Sequence, residues 1–295
     1  MKFPVLPSSL ALLLALCSTF VSPALLRAEG VLFYQPLNRD RSVTSDEWRQ
    51  IWREANRRKY KQIIVQWTAF GSQNFDQDTW LINTLKLANQ AGLDLILGLY
   101  ADPQFSQTIL QAGWEDRFDE YWVSLQRRSL SHQKKLLPLL TTHNVPVKGW
   151  YFPSELSDRF FTSIRRRKFV RQELSLMASQ LNRPLHVSAY SLGYLSPQAT
   201  ANWLSSLQES GLEVWWQDGS GVFDLPAPAL QAYRDILPCS VGIVREAFIR
   251  VSPQDSSFAA EPVQPKDYPS CYSSAVFSLR YMPWVDSLLS LEDPD

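Results

Sequence analysis

The stretch VKGWYFPSELSD, residues 147–158, runs through apolar and aromatic residues, meets a proline and reaches Glu155 before turning polar. A short apolar run bounded by polar residues reads as a strand buried on both faces. The same pattern recurs as GVLFYQPL (30–37), KQIIVQWTAFG (61–71), LDLILGLYADP (93–103), LHVSAYSLG (185–193), LEVWWQDGSG (212–221), SVGIVREAFI (240–249) and SSAVFSLRYMP (273–283). With the opening stretch the chain holds eight such runs.

Helix patterns fall between them. SDEWRQIWREANRRK (45–59) puts Trp48 and Trp52 on one face, with Ser45 as the expected N-cap. QDTWLINTLKLANQAG (77–92) should stop at Gly92. EDRFDEYWVSLQRRSLSHQKKLLPLL (115–140) is long, and Pro138 should disturb its end. Three more patterns cover 163–182, 196–211 and 227–237, and VDSLLSLED (285–293) is read as a last helix. The Pro- and Ser-rich stretch 252–270 is expected to be a loop. Buried strands alternating with helices predict a parallel sheet covered by helices. Eight such units predict an α/β fold, a single (β/α)8 TIM barrel over residues 29–295. No Gly-rich phosphate loop follows the first strand, which disfavours an open doubly wound sheet.

Residues 1–28 read as a secretory signal peptide, with Lys2 ahead of the apolar run LALLLALCSTFV (10–21) and cleavage after Ala28. A lipid anchor on Cys17 is the less favoured alternative, because Leu16 stands where a small residue is expected. A periplasmic or secreted location follows. It predicts that Cys239 and Cys271, the two cysteines left after cleavage, form a disulfide. The chain has zero formal net charge, and loss of Lys2 and Arg27 with the leader leaves about −2, which argues against a nucleic-acid partner. No later segment is long and apolar enough to span a bilayer. His132, His143 and His186 are scattered, so neither a metal nor a cofactor is expected. A monomer is expected.

In such a barrel the chemistry lies at the carboxyl ends of the strands. Those ends carry Gln35, Asn38, Arg39, Gln66, Trp67, Tyr100, Asp102, Glu155, Tyr190, Trp216, Gln217, Asp218, Glu246 and Arg280. Strands four and seven stand on opposite sides of the rim, so Glu155 and Glu246 can converge on one ligand. Two facing carboxyls suit glycoside hydrolysis, one protonated and one ionised. Of the adjacent pair Trp215 and Trp216, alternation lets at most one line the interior. RRRK (165–168) reads first as a solvated helix face and second as a contact for an anionic polymer.

The segments FYQPLNRD, IIVQWTAFG, DLILGLYADP, GWYFPSEL, VWWQDGSG and VGIVREAF together resemble domain of unknown function 4434, a glycoside-hydrolase-like bacterial family. The resemblance covers about residues 30–283. The barrel order also resembles the large clan of retaining glycoside hydrolases, which implies Glu155 as acid/base and Glu246 as nucleophile. The substrate-binding set would then be the remaining polar and aromatic rim residues above. That clan commonly places Asn before its acid/base to contact the sugar 2-hydroxyl; Ser154 stands there in this chain. The expected activity is hydrolysis of a bacterial polysaccharide or envelope glycan, the alternative a non-catalytic barrel that binds such a polymer.

Overall fold

The structure, a computed structural model, describes residues 30–74, 79–111, 113–254, 256–268, 271–285 and 288. The leader with Cys17, and most of the last helix read at 285–293, lie outside the described residues. Eight parallel strands close into one barrel in sequential order. They are β1 (Gly30–Tyr34), β2 (Tyr60–Val65), β3 (Asp94–Gly98), β4 (Gly149–Ser157), β5 (Leu185–Tyr190), β6 (Leu212–Gln217), β7 (Gly242–Glu246) and β8 (Ser274–Phe277). Closure is made where β1 meets β8, with Val31 opposite Ala275 and Leu32 opposite Val276. The helices are α1 (Ser45–Arg57), α2 (Thr79–Gln90), the short α3 (Phe105–Ile109), α4 (Phe118–Thr142), α5 (Ile164–Gln180), α6 (Pro197–Gln208) and α7 (Ala227–Ile236).

Alternation along the strands divides the core in two. Val31, Phe33, Ile64, Ile96, Tyr151, Trp215, Val244 and Ala275 fill the barrel. Their neighbours in sequence, among them Leu32, Ile63, Leu97, Phe152 and Trp216, pack under the helices. On α1, Trp48 and Trp52 stack at 5.3 Å and both contact the ring of Tyr34. These contacts fix α1 over β1.

Four local expectations resolve differently or in finer detail. The N-cap of α1 is Thr44, not Ser45: Thr44 and Glu47 form a reciprocal capping box, which needs an acid three residues on. Pro138 lies inside α4, which continues to Thr142, so the ring is accommodated rather than ending the helix. Gly92 does end the α2 unit, at φ +82°, where Leu93 N reaches back to Ala88 O at 3.2 Å. The stretch 252–270 is not featureless: Ala260–Pro262 pairs antiparallel with Phe248–Arg250 just after β7. Cys239 and Cys271 form a disulfide with Cα atoms 5.3 Å apart, tying the approach to β7 to the approach to β8.

Candidate active site

Counting two residues on from the interior core positions leads to the mouth. Phe33 leads to Gln35, Ile64 to Gln66, Trp215 to Gln217 and Val244 to Glu246. On β5 the interior side passes from His186 through Ser188 to Tyr190. The floor is apolar and the next layer polar, so burial positions the polar groups without a loop having to place them.

Glu155 arrives by a less regular route. Phe152 stands opposite Val187 and Leu156 opposite Ala189, so four steps on β4 span two on β5. The extra residues form a bulge around Pro153, which has no N–H to give a ladder. An even number of inserted residues keeps the alternation, and Glu155 still faces inward. Its Oε1 accepts from Gln217 Nε2 at 2.9 Å. Gln217 Nε2 also lies 3.3 Å from Ser188 Oγ, and Ser188 bonds the Tyr151 hydroxyl at 2.7 Å. This chain fixes the carboxyl from below. Burial pushes the Glu155 carboxyl above the usual carboxylate range, and the Gln217 bond opposes that.

Glu246 is only 7% exposed, and its Oε2 accepts from the backbone N–H of Gly221. Only glycine fits at 221, because a Cβ there would stand 2.1 Å from Phe248 O and 2.9 Å from Glu246 Oε2. Burial raises the Glu246 pKa to about 8, with the charges of Asp218, Glu155 and Asp224 adding to the rise and the Gly221 N–H opposing it. The hydroxyl of Tyr190 donates to Asp224 Oδ2 at 2.5 Å. Its acidity is suppressed by burial first, then by Asp224, and further by both Glu246 and Glu155. Tyr190 is thus the group that feels both glutamates.

Asp218 is fully buried beside the mouth, accepting from Ser220 N at 3.0 Å and from the Tyr268 hydroxyl. It acts on Glu246 through its charge. Gln66 and Asn38 each keep a buried side-chain oxygen without a hydrogen-bond partner. Gln35 is half-buried at its inward position, and burial raises the Tyr281 hydroxyl pKa against the opposing charges of Arg280 and Arg39.

Five residues expected at the site are engaged elsewhere. Trp216 faces the helices, stacked on Tyr233 at 6.1 Å with Nε1 on Ser191 Oγ at 3.0 Å; Trp215 is the interior ring. The Trp67 ring belongs to the outer core, with Nε1 on Pro36 O at 3.1 Å. Arg280 is 5% exposed and pairs with Asp40 at 2.8 Å, so its charge is already compensated. The Tyr100 hydroxyl takes a bond from Arg128 on α4 at 3.1 Å. Asp102 accepts from Gln104 N at 2.9 Å and from the Tyr121 hydroxyl at 2.8 Å, which orders the start of α3. Conversely, Gly221, Asp224 and Tyr268 belong to the site, and sequence reading missed them because they lie in loops without periodicity. The RRRK arginines bind neighbouring groups: Arg165 pairs with Asp119, while Arg166 and Arg167 donate to carbonyls of 160–162. Among the described residues no group of three or more His, Cys, Asp or Glu side chains could hold a metal ion.

The closed eight-stranded α/β barrel is a TIM-barrel fold, with half-buried Glu155 near the carboxyl end of β4 and buried Glu246 at the end of β7. The chain belongs to the family described as Domain of unknown function (DUF4434), which matches residues 29–269. It is 29% identical over 290 residues to "Uncharacterized protein YbcH" of Escherichia coli (strain K12), covering 91% of this chain and 95% of that protein. Among solved structures it is similar to a "putative alpha-L-fucosidase" from Bacteroides thetaiotaomicron VPI-5482. That likeness has a TM-score of 0.55 and 13% identity over 85% of each chain. A second is the catalytic domain of a beta-amylase from Paenibacillus polymyxa, with a TM-score of 0.42 and 8% identity over 86% of this chain and 92% of that one.

Proposed function

We propose that this protein is an exported glycoside hydrolase of the retaining type, acting on a bacterial polysaccharide or envelope glycan in the periplasm or outside the cell. The observation that carries the reading is the pair Glu155 and Glu246: one half-buried and one buried at the mouth, both held by a hydrogen bond, both with proton affinity raised by burial, and Glu246 raised further by the charge of Glu155. A binding module has no use for two such acids, since burying carboxyls without cations is costly. The fold likeness to a protein described as a fucosidase agrees with this class. Export is supported by the apolar leader and by the Cys239–Cys271 disulfide, a bond that persists in oxidising compartments.

In the proposed reaction Glu155 gives its proton to the glycosidic oxygen as the bond to the anomeric carbon breaks. Ionised Glu246 attacks that carbon and forms a glycosyl ester. Glu155, now a carboxylate, takes a proton from water, whose oxygen displaces Glu246 and returns the pair to its first state. A like-charged pair resists ionising twice, so it holds one proton, and the cycle needs that proton on Glu155. Burial and the charge of Asp218 oppose ionisation of Glu246, so the cycle runs from the fraction of the protein in which the Gly221 N–H holds Glu246 ionised while burial keeps Glu155 neutral.

The test is kinetic. Glu246→Gln should remove turnover, by at least about a thousandfold, with the fold intact. Glu155→Gln should lose roughly 10²- to 10⁴-fold on natural glycans but retain activity on dinitrophenyl glycosides, whose leaving group needs no proton. If Glu246→Gln cleaves as fast as the parent, the reading is wrong. Polymer binding without any cleavage would instead identify the barrel as a binder.

A further inference from the structure

Nine large apolar side chains among the described residues are exposed, and six of them sit on connections at the carboxyl ends of the strands. Ile164, Leu176 and Ile236 lie in helices, the first two on α5 and the third on α7. The three aromatic ones occupy three consecutive loops: Tyr194 (55% exposed) after β5, Phe223 (56%) after β6 and Phe258 (52%) after β7. Single exposed apolar residues need no explanation, but a concentration on the face that carries the two glutamates does.

The loops that carry these rings are the ones that build the site. Asp158, three residues past Glu155, accepts from Leu192 N, Tyr194 N and Leu195 N at 2.7–3.1 Å and so sets the backbone of the Tyr194 loop. The Phe223 loop supplies Gly221 N–H to Glu246 and Asp224 to Tyr190. Phe223 itself is held at φ +60°, a left-handed conformation that a bulky residue rarely adopts, and its ring stays in solvent. The hairpin carrying Phe258 is stapled to that loop by Arg250 N to Gly221 O at 2.7 Å and by Gln254 Nε2 to Val222 O at 2.9 Å. From Phe258 an aromatic series runs inward through Phe248 (5.5 Å) to Phe277 (6.3 Å), which stands opposite Glu246 in the β7–β8 register. At the other end Tyr194 lines a cavity of about 440 Å³ together with Trp114, Glu115, Asp116, Arg159 and Phe160. Flat rings beside planar charged groups are the chemistry that stacks on sugar faces and holds their hydroxyls.

We infer that Phe258, Phe223 and Tyr194 form the rim of a cleft for a polysaccharide chain, which crosses the mouth and continues into the cavity beside Trp114. This rests on the hydrolase reading for the nature of the ligand. It adds that the substrate is a polymer held along its length, on both sides of the bond that is cut.

The experiment measures binding in the Glu246→Gln protein, where cleavage cannot intrude, by its retardation in native gels containing dextran, xylan, mixed-linkage β-glucan, alginate or glycol chitin. At least one polymer should retard it. Adding Tyr194→Ala, Phe223→Gly and Phe258→Ala together should weaken that retardation at least about tenfold. Leu176→Ala with Ile236→Ala, a loss of exposed apolar surface elsewhere, should leave it unchanged. Thermal unfolding checks that each protein is folded, and the three single variants give the same readout if the triple variant is not. Absence of retardation by every polymer, or retardation unaltered in the folded variants, overturns the inference. So does loss of binding to phosphatidylglycerol–phosphatidylethanolamine vesicles with polymer binding intact, which would make the rim a membrane contact. Rim-dependent binding by a wild-type protein that cleaves nothing would refute only the hydrolase reading.

Discussion

Two groups of carboxylates lie at the same end of this barrel and are built in opposite ways. Asp40 follows β1 and is fully enclosed, yet it accepts from Arg280 at 2.8 and 3.0 Å, from Tyr34 at 3.0 Å and from Leu37 N at 3.0 Å. Its charge is matched, and the pair joins the first and last strand connections where the barrel closes. In the second group Glu246 and Asp218 are buried, Glu155 is half-buried and Asp224 is exposed, and all four have only neutral donors among the described residues: Gln217, Gly221, Ser220, Tyr268 and Tyr190. Asp40 and Glu246 are both buried, and burial has two outcomes. With a cation it fastens the fold; without one it stores proton affinity at the place where a bond can be protonated.

The largest expected effect tests the fastening. Arg280→Met leaves Asp40 buried without its cation and should lower stability by about 3–5 kcal/mol, read from urea unfolding midpoints. Adding Asp40→Leu should recover part of that loss. The remainder persists because Asp40 also serves Tyr34 and Leu37. A single Arg280→Met variant as stable as the parent would erase the distinction between the two clusters.

The next effect has the opposite sign. Glu246 has a folded pKa of about 8 against a reference of 4.5, so between those values the native state binds more protons than the unfolded one. Stability contributed by this residue is then highest below pH 4.5 and declines as pH rises to 8. Glu246→Gln removes the cost, which at pH 8 is on the order of 4 kcal/mol at most. The variant should melt several degrees above the parent at pH 8, with the advantage gone at pH 4.5. A lower melting temperature at pH 8 would show that the carboxylate is compensated after all.

This contrast explains what could be read in the sequence. Alternation carried Gln35, Gln66, Gln217 and Glu246 to the mouth because a strand has period two and the apolar floor sets its phase. The same rule allowed only one of Trp215 and Trp216 inside, but not which. The deciding neighbour is Gly242 on β7, where any Cβ would meet the Trp215 ring at 2.4 Å; the missing side chain makes room for that indole inside the barrel. Arg280 was misplaced because a polar residue at a strand end looks the same whether it meets ligand or a buried acid 240 positions away. Gly221, Asp224 and Tyr268 sit in connections whose course is fixed only by tertiary contacts, so no pattern marks them. Pro153 did leave a mark: a proline inside an apolar strand predicts a bulge, and the bulge carries Glu155.

The smallest effect separates the charges around Glu246. If Glu246 is the nucleophile, kcat/KM should fall on the acid side of about pH 8, because only the ionised form attacks. Asp218 is the leading charged contributor to that high value, and Asp224 is a lesser one. Removing a neighbouring negative charge makes ionisation easier, so Asp218→Asn should move the acid limb to lower pH. The displacement must stay below the whole distance to 4.5, since burial is the larger cause and remains. Asp224→Asn should move the limb the same way by less, although it also frees the Tyr190 hydroxyl and so raises KM. The pH profile of kcat/KM on an activated glycoside reads both variants. A limb that moves upward in Asp218→Asn, or moves further in Asp224→Asn, would mean that the group titrating there is not Glu246.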